Sequence, residues 1–358
     1  MVIQIDGSIL EGGGQILRSA IAFAAVLKTP VEVNKIRAKR KTPGLRPQHL
    51  NGILAAKQLT NADVKGTHVG STRIEFYPNS QHGGEILVDI GTAGAITLVL
   101  QTIMIVAPYC EHPVFITLSG GTNVAWSPPF EYLVHVLLPR LQQMGYQGTL
   151  ELEQRGYYPR GGGLVKGTLF PINTLSSLIL ESNNANPIIQ GLSHCGSLPK
   201  HVAERQADTA MNILNQASYH VERIQVEHNK QTRSPGSGIT LWATSKPYLL
   251  MGSDALGRRG LKAEKVGEKA ASMLLAELKT NAFVDRYQAD MLIPYIALAK
   301  GASSLTISEL TMHTVTNIQI AEHFLDIKFS VKGTLGKPAQ ISVKGIGHEG
   351  SSASSESS

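Results

Sequence analysis

The chain has 358 residues, which is too long for one small core and predicts two domains or one large domain with an insertion. Hydrophobic residues at 42% and charged residues at 17% are ordinary for a well-packed globular protein, and the formal net charge of +6 is compatible with a polyanionic partner. The two cysteines exclude a disulfide framework, and neither a signal-peptide pattern nor an apolar stretch of bilayer length is visible. We therefore expect a cytoplasmic protein with no membrane association.

The first part of the chain alternates between strand and helix patterns. Apolar residues at helical spacing follow a glycine run and predict a helix over 15–27. The predicted order is strand, helix, strand, helix, strand, strand, over residues 2–5, 15–27, 31–36, 47–59, 64–68 and 73–77.

The same βαβαββ order recurs twice. The second unit is predicted over residues 85–90, 92–106, 114–118, 129–144, 149–154 and 164–170. The third unit has a helix, a strand, a helix and two strands over residues 287–300, 304–307, 316–323, 325–331 and 340–343. Extra strands and two helices between about 187 and 280 interrupt this third unit, as an inserted domain does.

These patterns predict an α/β (α+β) protein of three repeated βαβαββ units with a smaller inserted α/β domain in the third unit. The main domain is expected over 1–184 and 281–345, and the inserted domain over 185–280. The Ser-rich end of the chain predicts a disordered tail over 346–358.

A glycine run lies between the first strand and the first helix. Glu11, Gly12–Gly14 and Gln15 are followed by Arg18 on the helix. Glycines there allow a phosphate to approach backbone N–H groups at a helix N-terminus, and an arginine can fork onto phosphate oxygens. A tight turn with a capping glutamate explains the same pattern.

Two arginine-rich stretches are further candidates. Six cations lie within residues 35–46, and Gln48 and His49 then begin a helix, which favours a phosphate-binding surface over a merely solvated loop. Residues 155–163 combine arginines with two tyrosines, which suits RNA stacking, although a hairpin that packs its tyrosines fits equally well.

His313 follows a predicted strand and precedes a predicted helix. A neutral imidazole is a competent nucleophile toward phosphorus near neutral pH, although a lone histidine is more often structural. Asp290 on the third unit's first helix is a second candidate, with dipole compensation as the simpler explanation. Pro128 and Tyr132 open a helix and offer an apolar wall to a purine ring, although proline is common at helix starts.

Together these stretches resemble the RNA 3′-terminal phosphate cyclase family. The resemblance rests on motifs in the family's order: DGSILEGGGQILR (6–18), IRAKRKTPGLRPQHL (36–50), GGTN (120–123), RGYYPRGGG (155–163), YQADML (287–292) and HTVTN (313–317). It implies three βαβαββ repeats with a small inserted domain. It also implies an ATP-dependent ligase that forms enzyme-histidyl-AMP, transfers AMP to an RNA 3′-phosphate and releases a 2′,3′-cyclic phosphodiester, with ATP and Mg²⁺ (or Mn²⁺) as cofactors.

The resemblance also implies roles for individual residues. The family's nucleophilic histidine falls on His313, and Glu11 would position ATP or its metal ion. The RNA 3′-phosphate pocket is expected from Arg18, Arg37, Arg40 and Gln48. The nucleotide site is expected from Glu11, Gln101, Pro128, Tyr132, Tyr287, Asp290 and Met291, with Tyr287 and Pro128 on either side of adenine. Met291 stands where some relatives have glutamine, which removes a possible hydrogen bond to the nucleotide.

Three other functions remain open from the sequence. A non-catalytic cyclase-like protein of ribosome assembly would keep the fold without the nucleophile. An enolpyruvyl transferase would use the basic loop for a phosphorylated metabolite, although that family has six units. A plain RNA-binding module would leave His313 structural. The oligomeric state is also open, with a dimer as one option.

Overall fold

The computed structural model describes residues 1–181, 186–245 and 249–350. Across these ranges the strands form four four-stranded sheets, and helices accompany each of them. The predicted α/β class is confirmed. No helix in the described ranges is both long and apolar enough to cross a membrane.

The first two sheets share one strand order. The first unit comprises β1 (Ile3–Asp6), α1 (Gly14–Leu27), β2 (Val31–Asn34), α2 (Pro47–Thr60), β3 (Asp63–Lys65) and β4 (Ile74–Tyr77). Its sheet order is β1-β2-β4-β3, in which only the β1–β2 pair is parallel. A parallel pair needs a crossover, and α1 supplies it.

The second unit repeats this arrangement in the order β5-β6-β8-β7. A 3₁₀ turn follows its first helix, and its second helix is built from three consecutive segments with a π-helical centre. Its elements are β5 (Gly84–Asp89), α3 (Ile96–Val106), the 3₁₀ turn Ala107–Tyr109, β6 (Val114–Gly120), α4 (Phe130–Tyr132), the π turn Leu133–Leu137, α5 (Leu138–Gln143), β7 (Gly148–Gln154) and β8 (Gly163–Leu169).

The third unit is interrupted after its first strand, β9 (Ile179–Leu180). The interrupting segment forms its own sheet in the order β11-β10-β12-β13. Its elements are β10 (Ile188–Gly196), α6 (His201–Gln216), β11 (His220–Asn229), β12 (Gly236–Ser245), β13 (Leu249–Leu256) and α7 (Ala263–Leu278). We call residues 186–278 the inserted segment.

The third unit then resumes with the same strand order as the other two. Its elements are α8 (Arg286–Leu298), β14 (Lys300–Ile307), α9 (Met312–Phe324), β15 (Ser330–Gly333) and β16 (Ala339–Ile346). The sheet order β9-β14-β16-β15 again places one parallel pair at its edge. Strand β9 was not predicted from the sequence, because a two-residue strand carries no measurable alternation.

The first helices of the three units meet at the centre of the main body. Helix α1 packs on α3, and α3 packs on α8. Both α1 and α3 are buried on nearly every face, which is why their apolar residues extend beyond one stripe. This central packing brings the N-terminal ends of elements from the first and third units together.

The start of α9 and the start of the C-terminal tail differ from the prediction. Helix α9 begins at Met312 rather than 316, so His313 lies in its first turn. The predicted disordered tail begins too early: Ile346 pairs with Lys300, and the N–H of Gly350 donates to Asn173. Residues 351–358 of that tail, and the predicted domain boundary at 184/185, lie outside the described residues.

Candidate active site

The glycine run before α1 is covered by the basic loop, residues 35–46. The Lys39 ammonium donates to the carbonyl of Leu10 at 2.6 Å, and the Arg40 guanidinium contacts the Glu11 carboxylate. A Cβ atom added at Gly13 would lie 2.7 Å from Arg40 Nη2. The glycines therefore allow the loop side chains to approach the backbone more closely than any larger residue would.

His313 projects from the first turn of α9 and remains half-exposed. Thr311 caps this helix by accepting a hydrogen bond from the N–H of Thr314 at 3.1 Å. The imidazole Nδ1 lies 2.7 Å from Glu11 Oε2 and also contacts Gln15 Oε1. The first turns of α1 and α9 therefore meet at this histidine.

Gln15 determines which nitrogen of His313 carries the proton. Its Nε2 donates to Asp290 Oδ2 at 3.0 Å and to the His313 carbonyl at 3.2 Å, which turns its Oε1 toward the imidazole. Both groups that face Nδ1 are acceptors, so this network assigns the proton to Nδ1. The lone pair then lies on Nε2, the nitrogen that a nucleophile needs.

The electrostatic surroundings keep this imidazole neutral. Burial lowers the pKa of His313, the charges of Arg18 and Arg40 lower it further, and Asp290 opposes them. Burial raises the pKa of Asp290 to about 6, against the effect of His313 and Arg18. Near neutral pH we therefore expect an uncharged ring at His313.

Two of the arginines expected to bind the RNA phosphate have different surroundings: Arg18 lies on α1 and Arg37 lies in the basic loop. Arg18 Nε donates to Gln101 Oε1 at 3.1 Å, and burial lowers the Arg18 pKa to about 10, so that it stays charged. Arg37 Nη1 instead donates to the carbonyls of Thr42 and Gly44, which closes the basic loop on itself.

Gln48 faces the loop that precedes α3. Its Oε1 would lie 3.3 Å from a Cβ atom added at Gly94, so α2 of the first unit contacts the second unit here. The neighbouring His49 is buried, and its Nδ1 accepts a hydrogen bond from the Arg46 N–H at 3.1 Å. His49 therefore supports the start of α2 rather than facing a ligand.

Helix α8 carries Tyr287 and Asp290 on its first turns. The Tyr287 side chain is 40% exposed, which leaves its ring available for stacking. The half-buried Pro128 is held by Thr97, whose hydroxyl donates to its carbonyl at 2.8 Å. Met291 packs against a small apolar cluster at the edge of the inserted segment.

Tyr132 does not form the exposed wall that the sequence predicted. Only 1% of it is exposed, and its hydroxyl donates to Asp285 Oδ1 at 2.6 Å. Because Asp285 is the N-cap of α8, this hydrogen bond from Tyr132 stabilises the start of that helix. Its contribution to a nucleotide site is therefore indirect.

The arginine and tyrosine stretch at 155–163 is mostly structural. Arg155 is 1% exposed and forms ion pairs with Glu131 and with Glu227 of the inserted segment. Tyr157 is buried against His194, whereas Tyr158 is exposed. The alternative of a hairpin that packs its tyrosines is therefore confirmed for Tyr157 and wrong for Tyr158.

Two residues behind the site were missed as contributors. Ser19 donates to Asn317 Oδ1 at 2.6 Å, and Asn317 Nδ2 donates to the Asp290 carbonyl at 2.7 Å. These bonds join α1, α9 and α8 behind His313. The signal available in the sequence was the i, i+4 spacing of Gln15 and Ser19, which places both on one face of α1.

The metal-binding capacity of the site rests on one carboxylate. Among the described residues no group of three His, Cys, Asp or Glu side chains could hold a metal ion. Glu11 Oε2 is buried and lies 2.7 Å from His313 Nδ1, and it has no other hydrogen-bond partner among the described residues. Mg²⁺ commonly takes one or two carboxylates and completes its shell with substrate phosphates and water, so Glu11 fits such an ion.

Comparison with known proteins gives one consistent family. The family model described as "RNA 3'-terminal phosphate cyclase" matches residues 9–331. Proteins of that name from Pyrococcus furiosus and Pyrobaculum aerophilum are each 45% identical to this chain, over 96% and 97% of it and 98% and 99% of their own lengths. One from Desulfurococcus amylolyticus is 43% identical over 97% of this chain and 99% of its own length.

Proposed function

Because the chain belongs to the RNA 3′-terminal phosphate cyclase family, we propose that it uses ATP to convert an RNA 3′-terminal phosphate into a 2′,3′-cyclic phosphodiester. The observation that carries this proposal is the hydrogen bonding of His313. Its Nδ1 faces two acceptors. A proton on Nδ1 leaves the lone pair of the ring on Nε2. That arrangement suits a histidine that attacks phosphorus.

In the first step, His313 Nε2 attacks the α-phosphorus of ATP. A P–N bond forms, the bond to the bridging oxygen breaks, and pyrophosphate leaves. The first turns of α1 and α9 meet here, and both helix N-termini favour an anion. Arg18, whose charge acts on His313, adds positive charge near this point.

In the second step, an oxygen of the RNA 3′-phosphate attacks the phosphorus bound to His313. The P–N bond breaks, AMP moves to the RNA end as RNA-(3′)pp(5′)A, and the imidazole is regenerated. The adjacent 2′-hydroxyl then attacks the activated phosphate, AMP leaves, and the hydroxyl proton passes to solvent. The ribose holds this nucleophile beside phosphorus, so proximity supplies much of the rate.

The remaining residues bind and orient the reactants. We assign the RNA phosphate to Arg18, Arg37, Arg40 and Gln48, and the adenine to the space between Tyr287 and Pro128. Gln101 orients Arg18, and Asp290 orients Gln15. Glu11 would hold Mg²⁺, which when bound withdraws charge from the phosphate oxygens.

Covalent labelling tests this proposal. We expect incubation with α-labelled ATP and Mg²⁺ to give a protein-AMP adduct that is acid-labile and alkali-resistant, as a phosphoramidate is. His313→Ala should abolish the adduct. His323→Ala is the matched control, because His323 is exposed on the last turn of the same helix.

Two results would contradict the proposal. An adduct that persists in His313→Ala would place the nucleophile elsewhere. No adduct in the wild-type protein would favour a non-catalytic cyclase-like or RNA-binding role. Arg40→Ala should form the adduct but transfer AMP poorly to a 3′-phosphorylated RNA, and equal loss of both steps would remove Arg40 from the RNA pocket.

A further inference from the structure

The start of α8 is attached to strand β13 of the inserted segment. The Asp285 carboxylate accepts hydrogen bonds from the N–H of Gly252 and from the N–H of Tyr287, each at 2.9 Å. A Cβ atom added at Gly252 would lie 2.8 Å from a ring carbon of Tyr132. This face of the inserted sheet therefore points toward the main body, beside Tyr287.

Asp254 is the next residue of β13 on that face, because side chains alternate along a strand. It forms no hydrogen bond or salt bridge with any residue in the described ranges. Its partner across the sheet is Thr240 of β12, whose hydroxyl is buried and also has no hydrogen-bond partner there. The Asp254 carboxyl is partly exposed and the Thr240 hydroxyl is buried, so a solvent-accessible acid and a buried polar group without a partner, which is uncommon, face the same space.

The strand geometry directs the Asp254 carboxyl toward the start of α8, because Asp254 lies two residues beyond Gly252, which is hydrogen-bonded to the N-cap of that helix. Burial raises the pKa of Asp254 to about 7, with Lys269 opposing and Glu131 and Asp285 reinforcing the shift. Burial also raises the pKa of Tyr287, and Asp254 is the next largest cause. A carboxyl without a compensating donor stands beside the ring to which we assign adenine.

We propose that Asp254 is the residue that selects the base of the nucleotide, its carboxylate accepting a hydrogen bond from the exocyclic 6-amino group of an adenine stacked on Tyr287. This inference rests on the proposed function, since it adds a specificity residue to the same nucleotide site. It also brings a residue of the inserted segment into that site.

The chemistry of the purines gives this contact its selectivity. Adenine carries an amino donor at position 6, where guanine carries a carbonyl acceptor. In its ionised form, which an amino donor favours, the Asp254 carboxyl attracts the former and repels the latter. The unpaired Thr240 hydroxyl lies in the same space, which is consistent with a ligand that brings polar atoms.

Nucleotide competition tests the inference on the wild-type protein first. Adduct formation at His313 is measured with α-labelled ATP, GTP and purine riboside triphosphate, which lacks the 6-amino group. We expect the efficiency of labelling to fall about ten- to hundredfold without the amino group, the range for a hydrogen bond to a charged partner, and further with GTP. Equal labelling by all three would overturn the inference.

Asp254→Asn gives the second measurement. The amide of asparagine can turn either its oxygen or its NH₂ to the base, so the preference for ATP over GTP should fall at least about tenfold. Asp208→Asn is the matched control, because Asp208 is an exposed acid on α6 of the same segment, and it should keep the wild-type preference.

The outcomes separate the two proposals. An unchanged preference in Asp254→Asn would overturn the assignment of Asp254, even with normal labelling by ATP. Absence of any wild-type adduct would instead overturn the proposed function itself.

Discussion

At the scale of single residues, Gln15 is the side chain that orients the imidazole of His313. Its amide contacts Nδ1 through oxygen, while its nitrogen is held by Asp290. The ring is thereby fixed both in its tautomer and in its rotation. Such a positioning residue affects the chemical step without touching the nucleotide.

We predict that Gln15→Leu slows adduct formation on the order of a hundredfold, because a misplaced nucleophile loses alignment with phosphorus. Rapid-quench measurement with saturating α-labelled ATP reports this rate. Gln216→Leu, an exposed position at the end of α6, should match the wild type. A wild-type rate in Gln15→Leu would mean that the tautomer is fixed by Glu11 alone.

The second prediction at this scale concerns His313 and the fall of the rate of adduct formation at low pH. Burial and the nearby arginines lower the pKa of His313, so the neutral, reactive ring persists to lower pH than an ordinary histidine. Adduct formation should fall only as the pH drops below that lowered pKa. Arg40→Gln removes one cation and frees Glu11, and both changes raise the pKa.

We therefore expect Arg40→Gln to move the midpoint of the acid limb to higher pH, measured between about pH 5 and 8. Arg40→Lys keeps the charge and should restore a midpoint near that of the wild type. If both variants titrate like the wild type, Arg40 has no electrostatic effect on His313.

At the scale of secondary-structure elements, the start of α1 and the start of α2 are fitted to each other. A Cβ atom added at Gly14 would lie 2.3 Å from His49 Nε2. His49 in turn holds the N-terminal end of α2 through the Arg46 N–H. The glycine run is therefore required by the contact between two helices as well as by any phosphate.

We predict that Gly14→Ala lowers the free energy of unfolding by about 1–3 kcal/mol, as overpacking does. Combining it with His49→Ala should cost less than the sum of the two single changes, because the clash disappears with the imidazole. Urea unfolding of the three variants measures this coupling. Additive costs would show that the two helix starts do not meet as described.

At the scale of the whole molecule, a buried arginine joins the main body to the inserted segment. Arg155 donates to Glu131 Oε1 at 2.6 Å, and it donates through Nε and Nη2 to both oxygens of Glu227, each at 2.7 Å. Glu131 is almost fully buried; burial raises its pKa, but Arg155 together with His194 and hydrogen bonds from Asn123 and the backbone lowers it to about 2. The buried Glu131 carboxylate therefore depends on the charge of Arg155.

Arg155→Met should cost about 3–5 kcal/mol of unfolding free energy at neutral pH, because it leaves Glu131 charged and buried. In the wild type, the stabilisation from Glu131 is present above the unfolded pKa and is lost as the pH falls through the lowered folded pKa. In Arg155→Met the folded pKa rises, so the deficit should shrink as acid protonates Glu131.

Adding Glu131→Gln to Arg155→Met should recover part of the loss, measured by urea unfolding at neutral and acidic pH. A deficit that is independent of pH would show that the loss comes from packing and not from the uncompensated carboxylate.

The local pattern of apolar residues along the chain was sufficient to predict that the chain is built from repeated units. Periodicity along 15–27 and 47–59 predicted α1 and α2 within one residue at each end, and the recurrence of the pattern predicted three units. These features depend on residues close together in the chain, where spacing and helix propensity act directly. The motif at 313–317 likewise pointed to His313 as the candidate nucleophile, and that role stays a prediction.

Only the tertiary structure decided the partners of the charged and aromatic residues. In the sequence, Tyr132 and Arg155 look like ligand-binding residues. In the structure they are hydrogen-bonded to Asp285 and Glu227, which are 153 and 72 positions away. The link from Gln15 to His313 likewise spans 298 positions. Sequence spacing carries no information on such pairs, because their proximity is a product of how the three units pack.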